Sequence, residues 1–362
     1  MAQPARKKIF LRRELPLPVT LRDIATFCRS FSVLIETGMP VMRSLKILSE
    51  RTSKVRLRKI VSDITAFVEN GGTVSAAMAK FPRFFNPMVV SMIRIGETSG
   101  TLDHSLHRIS ELLEKQIALK QKVKSAFAYP VIALLASVTV IIFLLVRVIP
   151  VFVPLFKNPE NPVPIPVPTQ IIISVSEFLT NNWYIYVPMI LGILIVLYLY
   201  GRTTGGRFLY DRLWLKMPLF GTLSTKVVME RFTRTTALLL RSGIPLLETL
   251  KLVRHVVGSV NVEATIDKAH SVLQQGGTLE ETLRESSIIP PLTVDIISIG
   301  EQAGALEDVL SRVAETLDEE IDVTVRGITS IIEPVMVLFV GGVVLFIALS
   351  VFLPYFGLVR VL

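Results

Sequence analysis

Three stretches of this chain, Ala128–Val146, Trp183–Tyr200 and Pro334–Phe352, each run for 18 or 19 residues without a charged side chain. Hydrocarbon holds no water to satisfy an unpaired backbone N–H or C=O, so such a stretch crosses it as an α-helix. At about 1.5 Å rise per residue each spans roughly 27–29 Å, close to the hydrocarbon thickness of a bilayer. A helix buried in a soluble domain normally keeps a polar face. The chain is therefore expected to be polytopic, with every other segment assigned to one side of a membrane or the other.

Charge supplies the orientation. Of the 39 Lys and Arg, 22 lie in residues 1–127 and 14 in residues 201–330. Lys115, Lys120, Lys122 and Lys124 stand just before the first span, and Arg202, Arg207, Arg212 and Lys216 follow the second. Basic residues within about 15–20 positions of a span favour the cytoplasmic side. Residues 1–127 and 201–330 are thus expected in the cytoplasm, with the connection after span one and the C-terminal tail outside. Trp183, Tyr184 and Tyr186 at one end of span two, and Tyr198 and Tyr200 at the other, mark two interfacial belts. Asn158–Pro168, with proline at five positions, is expected to be an extended strap. Ile171–Leu179 is expected to be a short helix lying on the outer surface. Arg6, Lys7, Lys8, Arg12 and Arg13 lack the apolar run of a signal peptide and are expected to form a basic tail able to meet anionic headgroups.

The chain also resembles itself. At a shift of 205 residues Phe27 falls on Phe232, Arg29 on Arg234, Gly38 on Gly243, Pro40 on Pro245, and Gly71-Gly72-Thr73 on Gly276-Gly277-Thr278. One residue is lost near Pro82, and at a shift of 204 Gly96-Glu97 falls on Gly300-Glu301, Gly100 on Gly304, Leu102 on Leu306 and Pro130 on Pro334. The repeated unit is therefore a polar module plus the span that follows it. Ile24, Phe27, Phe31, Leu34 and Ile35 share one face of a helix. Gly38 suits a left-handed helix end, Pro40 the opening of the next helix, and Thr73 and Thr278 helix caps. The expectation is an all-α protein: two homologous cytoplasmic six-helix bundles and three transmembrane helices. Its segments are a tail 1–20, a module 21–127, a span 128–153, a Pro-rich connection 154–182, a span 183–200, a module 201–330, a span 331–356 and a tail 357–362.

Several chemistries are missing from the pattern. No P-loop, G-x-G-x-x-G, H-E-x-x-H or G-x-S-x-G sequence occurs. His104 and His107 lie three apart on one helix but without a further ligand nearby, and are expected to be exposed or capping. The single cysteine, Cys28, sits among Phe27 and Phe31 and is expected in a core. Residues 1–127 carry +12 and residues 201–330 carry −3, so the basic excess belongs to one membrane flank and does not point to nucleic acid. Arg147 and Glu333 lie at span ends where they reach headgroups or water, and no ionisable group occupies a bilayer midplane. Gly341-Gly342 is a notch for close helix packing. An enzyme is not expected, and no cofactor; an oligomeric transporter or channel subunit is the alternative. Glu97 and Glu301, at matching turns, either cap a helix N-terminus or face a partner, capping being the commoner use.

Phe27-x-Arg29, Gly38-x-Pro40, Gly71-Gly72-Thr73, Gly96-Glu97-x-x-Gly100-x-Leu102 and Tyr129-Pro130, repeated as Phe232-x-Arg234, Gly243-x-Pro245, Gly276-Gly277-Thr278, Gly300-Glu301-x-x-Gly304-x-Leu306 and Glu333-Pro334, resemble the signature of the type II secretion F family. The resemblance covers roughly residues 20–357. It implies an inner-membrane platform, a homo-oligomer whose cytoplasmic modules meet a hexameric assembly or secretion ATPase and whose membrane part meets pilins or pseudopilins and other inner-membrane components. It further implies that some relatives hold a cation in the first module, where Glu97 is the one ligand this chain offers.

Overall fold

A computed structural model describes residues 18–156, 166–201, 203, 206, 209, 217, 220–286 and 289–359. The Arg6–Arg13 cluster, most of the Pro-rich strap and the residues beyond 359 lie outside them. Every regular element among the described residues is a helix. The first copy comprises α1 (Leu21–Glu36), α2 (Val41–Arg51), α3 (Val55–Glu69), α4 (Val74–Ala79), α5 (Pro87–Ser99) and α6 (Leu102–Ala126). The second repeats this order as α11 (Phe220–Arg241), α12 (Leu246–Val257), α13 (Val260–Gln274), α14 (Leu279–Arg284), α15 (Pro291–Gln302) and α16 (Leu306–Val359). Between them lie α7 (Ala128–Phe143), a π-turn at Leu144–Val148, α8 (Ile149–Phe156), α9 (Val167–Asn181) and α10 (Trp183–Tyr200).

The helix ends follow the local chemistry. Gly38 and Gly243 leave α1 and α11 at φ +82° and +81°, a conformation that costs a side chain with a Cβ about 1–2 kcal/mol. Pro40 and Pro245 occupy the cap position of the next helix, one residue before its first turn. Their missing N–H is one that no helix end would have paired.

The described residues divide into two compact units. One combines the residues up to Lys120 with Val227–Asp318, and so holds most of both six-helix copies, leaving out the start of α11, the last residues of α6 and the greater part of α16. Its interior is one continuous apolar cluster that draws on both copies, including Phe31, Met92 and Ile109 from the first and Phe232, Leu250 and Leu310 from the second. Helix α5 packs against α12 of the other copy. Arg108 on α6 donates from Nη1 to the carbonyl of Arg241 at 2.8 Å and to Ser242 Oγ at 3.2 Å, at the C-terminal end of α11.

The other unit runs from Gln121 to Lys226 and from Glu319 onward. Three helical stretches, Leu102–Pro154, Trp183–Tyr200 and Leu306–Pro354, are long and apolar enough to cross a membrane. Helix α10 buries no residue, as suits a helix whose surroundings are lipid. The Ile171–Leu179 segment is helical as expected. As part of α9 it packs on the π-turn and α8, and its Ile172 and Ile173 are buried. Ile172 joins a small cluster with Leu145, Ile149 and Ile347. Ser176 Oγ donates to the carbonyl of Leu145 and Thr169 Oγ1 to that of Ser350, both at 2.6 Å. A π-turn leaves carbonyls out of register with the i→i−4 ladder, and Ser176 takes one of them.

Candidate functional site

The longest repeated motif, Gly96-Glu97-x-x-Gly100-x-Leu102, forms the turn between α5 and α6, and its partner motif, Gly71-Gly72-Thr73, the turn between α3 and α4. Gly71 turns the chain at φ +87°. Gly72 leaves room for the Phe67 ring, which a Cβ would meet at 2.2 Å. Thr73 caps α4, its Oγ1 accepting from Ala76 N at 3.2 Å. That satisfies one of the orphan N–H groups at the start of a six-residue helix.

Glu97 takes two more. Its carboxylate reaches 23 residues back, accepting from Val74 N and, at 3.0 Å, from Ser75 N. A negative charge on a helix N-terminus is stabilised both by these donors and by the helix dipole. Gly96 holds Glu97 in place because a side chain there would collide with α6, its Cβ falling 2.5 Å from Ser105 Oγ and 3.0 Å from Leu102 Cα. Gly100 closes α5 in the left-handed conformation at φ +72°, and Leu102 enters the core. Every fixed position of the motif therefore serves one joint, which ties the start of α4 to the end of α5 and the start of α6.

The second copy builds the same joint. Glu301 accepts from Leu279 N at 2.9 and 3.1 Å and from Glu280 N at 3.4 Å. Thr278 Oγ1 accepts from Glu281 N at 3.4 Å. A Cβ on Gly300 would stand 2.9 Å from the Val309 side chain, and Gly304 turns at φ +65°. Both carboxylates are engaged by backbone N–H donors. Among the described residues no group of three or more His, Cys, Asp or Glu is placed to hold a metal.

The remaining motif residues are dispersed. Arg29 reaches across to α6, pairing with Glu114 at 2.8 Å and lying 3.2 Å from His107 Nδ1. The hydrogen bond holds the Glu114 carboxyl below its usual range and raises the Arg29 guanidinium. Arg234 pairs with Glu230 on its own helix and donates at 3.4 Å to the carbonyl of Ala314. Pro130 is buried in the first turn of α7, whereas Pro334 lies exposed within α16 beside Glu333. Cys28 is fully buried, and burial pushes its thiol up to about 12.

Sequence reasoning missed two things here. Glu230 is buried, and that burial raises its carboxyl pKa. The signal was available, because the 205-residue shift sets Glu230 on Ala25, a charge on a methyl group in the apolar stripe. The Arg108 contact between the copies had no signal at all: nothing in one copy's pattern says what the other copy will offer.

The family description "Type II secretion system (T2SS), protein F" matches this chain twice, over residues 27–150 and 232–354. The chain belongs to the type II secretion system protein F family. Both matches open on the Phe-x-Arg motif and close on Pro150 and Pro354, the boundaries at which the chain repeats itself. Relatives in this family include the type IV pilus assembly protein PilC of Myxococcus xanthus, 32% identical over 98% of this chain and 85% of that protein. PilC of Thermus thermophilus is 34% identical over 94% of this chain and 84% of its own length. The type II secretion system protein F of Vibrio cholerae is 29% identical over 93% and 82%. Family membership and three apolar helices together make this an inner-membrane protein of the secretion and pilus class.

Proposed function

We propose that the chain is the inner-membrane platform of a type II secretion or type IV pilus assembly machine, coupling a cytoplasmic hexameric ATPase to the assembly of pilin or pseudopilin subunits without catalysis of its own. The six-helix copies face the cytoplasm, the α8–α9 connection and the C-terminus lie outside, and the protein works as a homo-oligomer. The observation that carries this reading is the shared core. Two copies separated in sequence by two membrane crossings bury apolar side chains in one cluster, so a displacement imposed on either copy reaches both of the spans that follow them. The invariance of the Glu97 and Glu301 joints between copies supports the same mechanics, because it stiffens the approach to each span and builds no reactive centre.

Two measurements test it. Full-length protein in lipid nanodiscs should retain the assembly ATPase of its own machine, and empty nanodiscs should not; equal retention by both would overturn the coupling. Reporters fused at the N- and C-termini should read cytoplasmic and external respectively, and the reverse result would overturn the orientation.

A further inference from the structure

The contact between the two copies is head-to-tail: α5 and α6 of the first meet α12 and the end of α11 of the second. Such a contact uses two different surfaces, and duplication gives each copy both. One surface of each kind is consumed inside the chain, so the second copy keeps an unused α5-type surface and the first an unused α12-type surface.

Exposure at matched positions bears this out from both sides. Met88 and Met92 on α5 are fully buried, at 0%, and Ile95 packs against the same core. Their counterparts on α15, Leu292, Ile296 and Ile299, are exposed at 70, 37 and 65%. They stand at i, i+4 and i+7, a single stripe. Packing within a copy does not explain the difference, since Val90 and Ile93 of α5 and Val294 and Ile297 of α15 are buried alike. On the other surface Leu239, Ile244 and Leu252 are buried in the second copy, at 0, 2 and 8%. Their counterparts Leu34, Met39 and Ile47 are only half-buried in the first.

The polar contact repeats the pattern. Arg108 grips the carbonyl of Arg241 and the hydroxyl of Ser242. Arg312, its counterpart, is exposed, and the matching grip is Glu36 and Thr37 at the end of α1, also exposed. Glu36 sets a carboxylate where Arg241 sets a cation, so an arriving Arg312 would meet a complementary charge in addition to the helix-end carbonyl.

We propose that a second copy of this chain docks here, the Leu292–Ile296–Ile299 stripe and Arg312 of one protomer seating on Leu34, Met39, Ile47 and Glu36 of the next. The contact between chains thereby repeats the contact within the chain. Such an interface is heterologous: each protomer offers one surface and receives on the other.

The test is cysteine cross-linking of the full-length protein in its native membrane, where buried Cys28 with its raised thiol stays silent. A chain carrying both Ile47→Cys and Ile299→Cys should yield a ladder of disulfide-linked multimers on mild oxidation. Chains carrying one substitution each should yield only a dimer when co-expressed. Glu36→Arg should abolish the ladder, and adding Arg312→Glu should restore it. Absence of any linked product would overturn the proposal. Dimers from Ile299→Cys alone would overturn it in favour of a symmetric interface. So would an Ile299→Asp variant that keeps its oligomeric mass but loses a bound ATPase, which would assign the stripe to that partner.

Discussion

Glutamate 97 shows how a residue repeated in a motif can be structural and still specific. Its two oxygens satisfy two backbone donors that a six-residue helix cannot pair for itself. Glu97→Ala leaves both unpaired next to a core, and should cost about 1–2 kcal/mol in the unfolding free energy of the detergent-solubilised chain. Glu97→Gln keeps one acceptor but turns an NH2 group toward a donor, and should fall between the two. Chemical denaturation followed by circular dichroism orders the three; a Glu97→Ala chain as stable as the parent would remove the joint from the account. Glu230 behaves oppositely. Burial raises its carboxyl above the ordinary glutamate value of 4.5, so the folded chain holds the proton more tightly than the unfolded one. The stability this lends is full below 4.5 and is lost as pH rises through the higher folded-state value. Glu230→Gln removes that dependence. The advantage of the variant over the parent should therefore grow between pH 4.5 and neutrality, and unfolding midpoints measured across that range check the sign.

At the level of elements, α9 is the part whose role its own sequence least betrays. The polar residues within Ile171–Leu179 read as a helix resting on a surface, and Ser176 among them and Thr169 just before them each donate to a backbone carbonyl of the membrane helices. Thr169→Val and Ser176→Ala should each cost about 1 kcal/mol, and the pair should sum, since the sites hold different carbonyls. Thermal unfolding in detergent measures this; no loss from either would mean that apolar contact alone holds α9. The helix boundaries were legible because glycine, proline and threonine act locally: Gly38, Gly71 and Gly100 adopt the left-handed turns that their backbone freedom allows. The carboxylate role of Glu97 was legible as one of two options, because matching turns in both copies place it near a helix start. What stayed hidden depends on distance along the chain. The 181 residues between Thr169 and Ser350, and the 133 between Arg108 and Arg241, carry no periodicity that could pair them.

For the whole molecule the question is how strongly the two copies are coupled. A shared core predicts that they unfold together, because separating them exposes apolar faces of both. Arg108 and Arg312 give a controlled comparison, being the same residue at the same place in two copies of one fold. Arg108 grips a helix-end carbonyl and a hydroxyl of the other copy. Truncating it leaves those acceptors unpaired and should cost about 1–2 kcal/mol, with the loss shared by both copies. Arg312 lies exposed and should have no such role within the chain, so Arg312→Ala should leave the unfolding of the isolated protomer within about 0.5 kcal/mol of the parent. Hydrogen exchange read separately on α1–α5 and on α11–α15 measures both effects. Arg108→Ala should speed exchange in both sets together, because opening at the joint is opening of the shared core. Faster exchange in the first set alone would mean that the copies fold independently and merely touch, and a displacement received by one would then not be delivered to the span of the other.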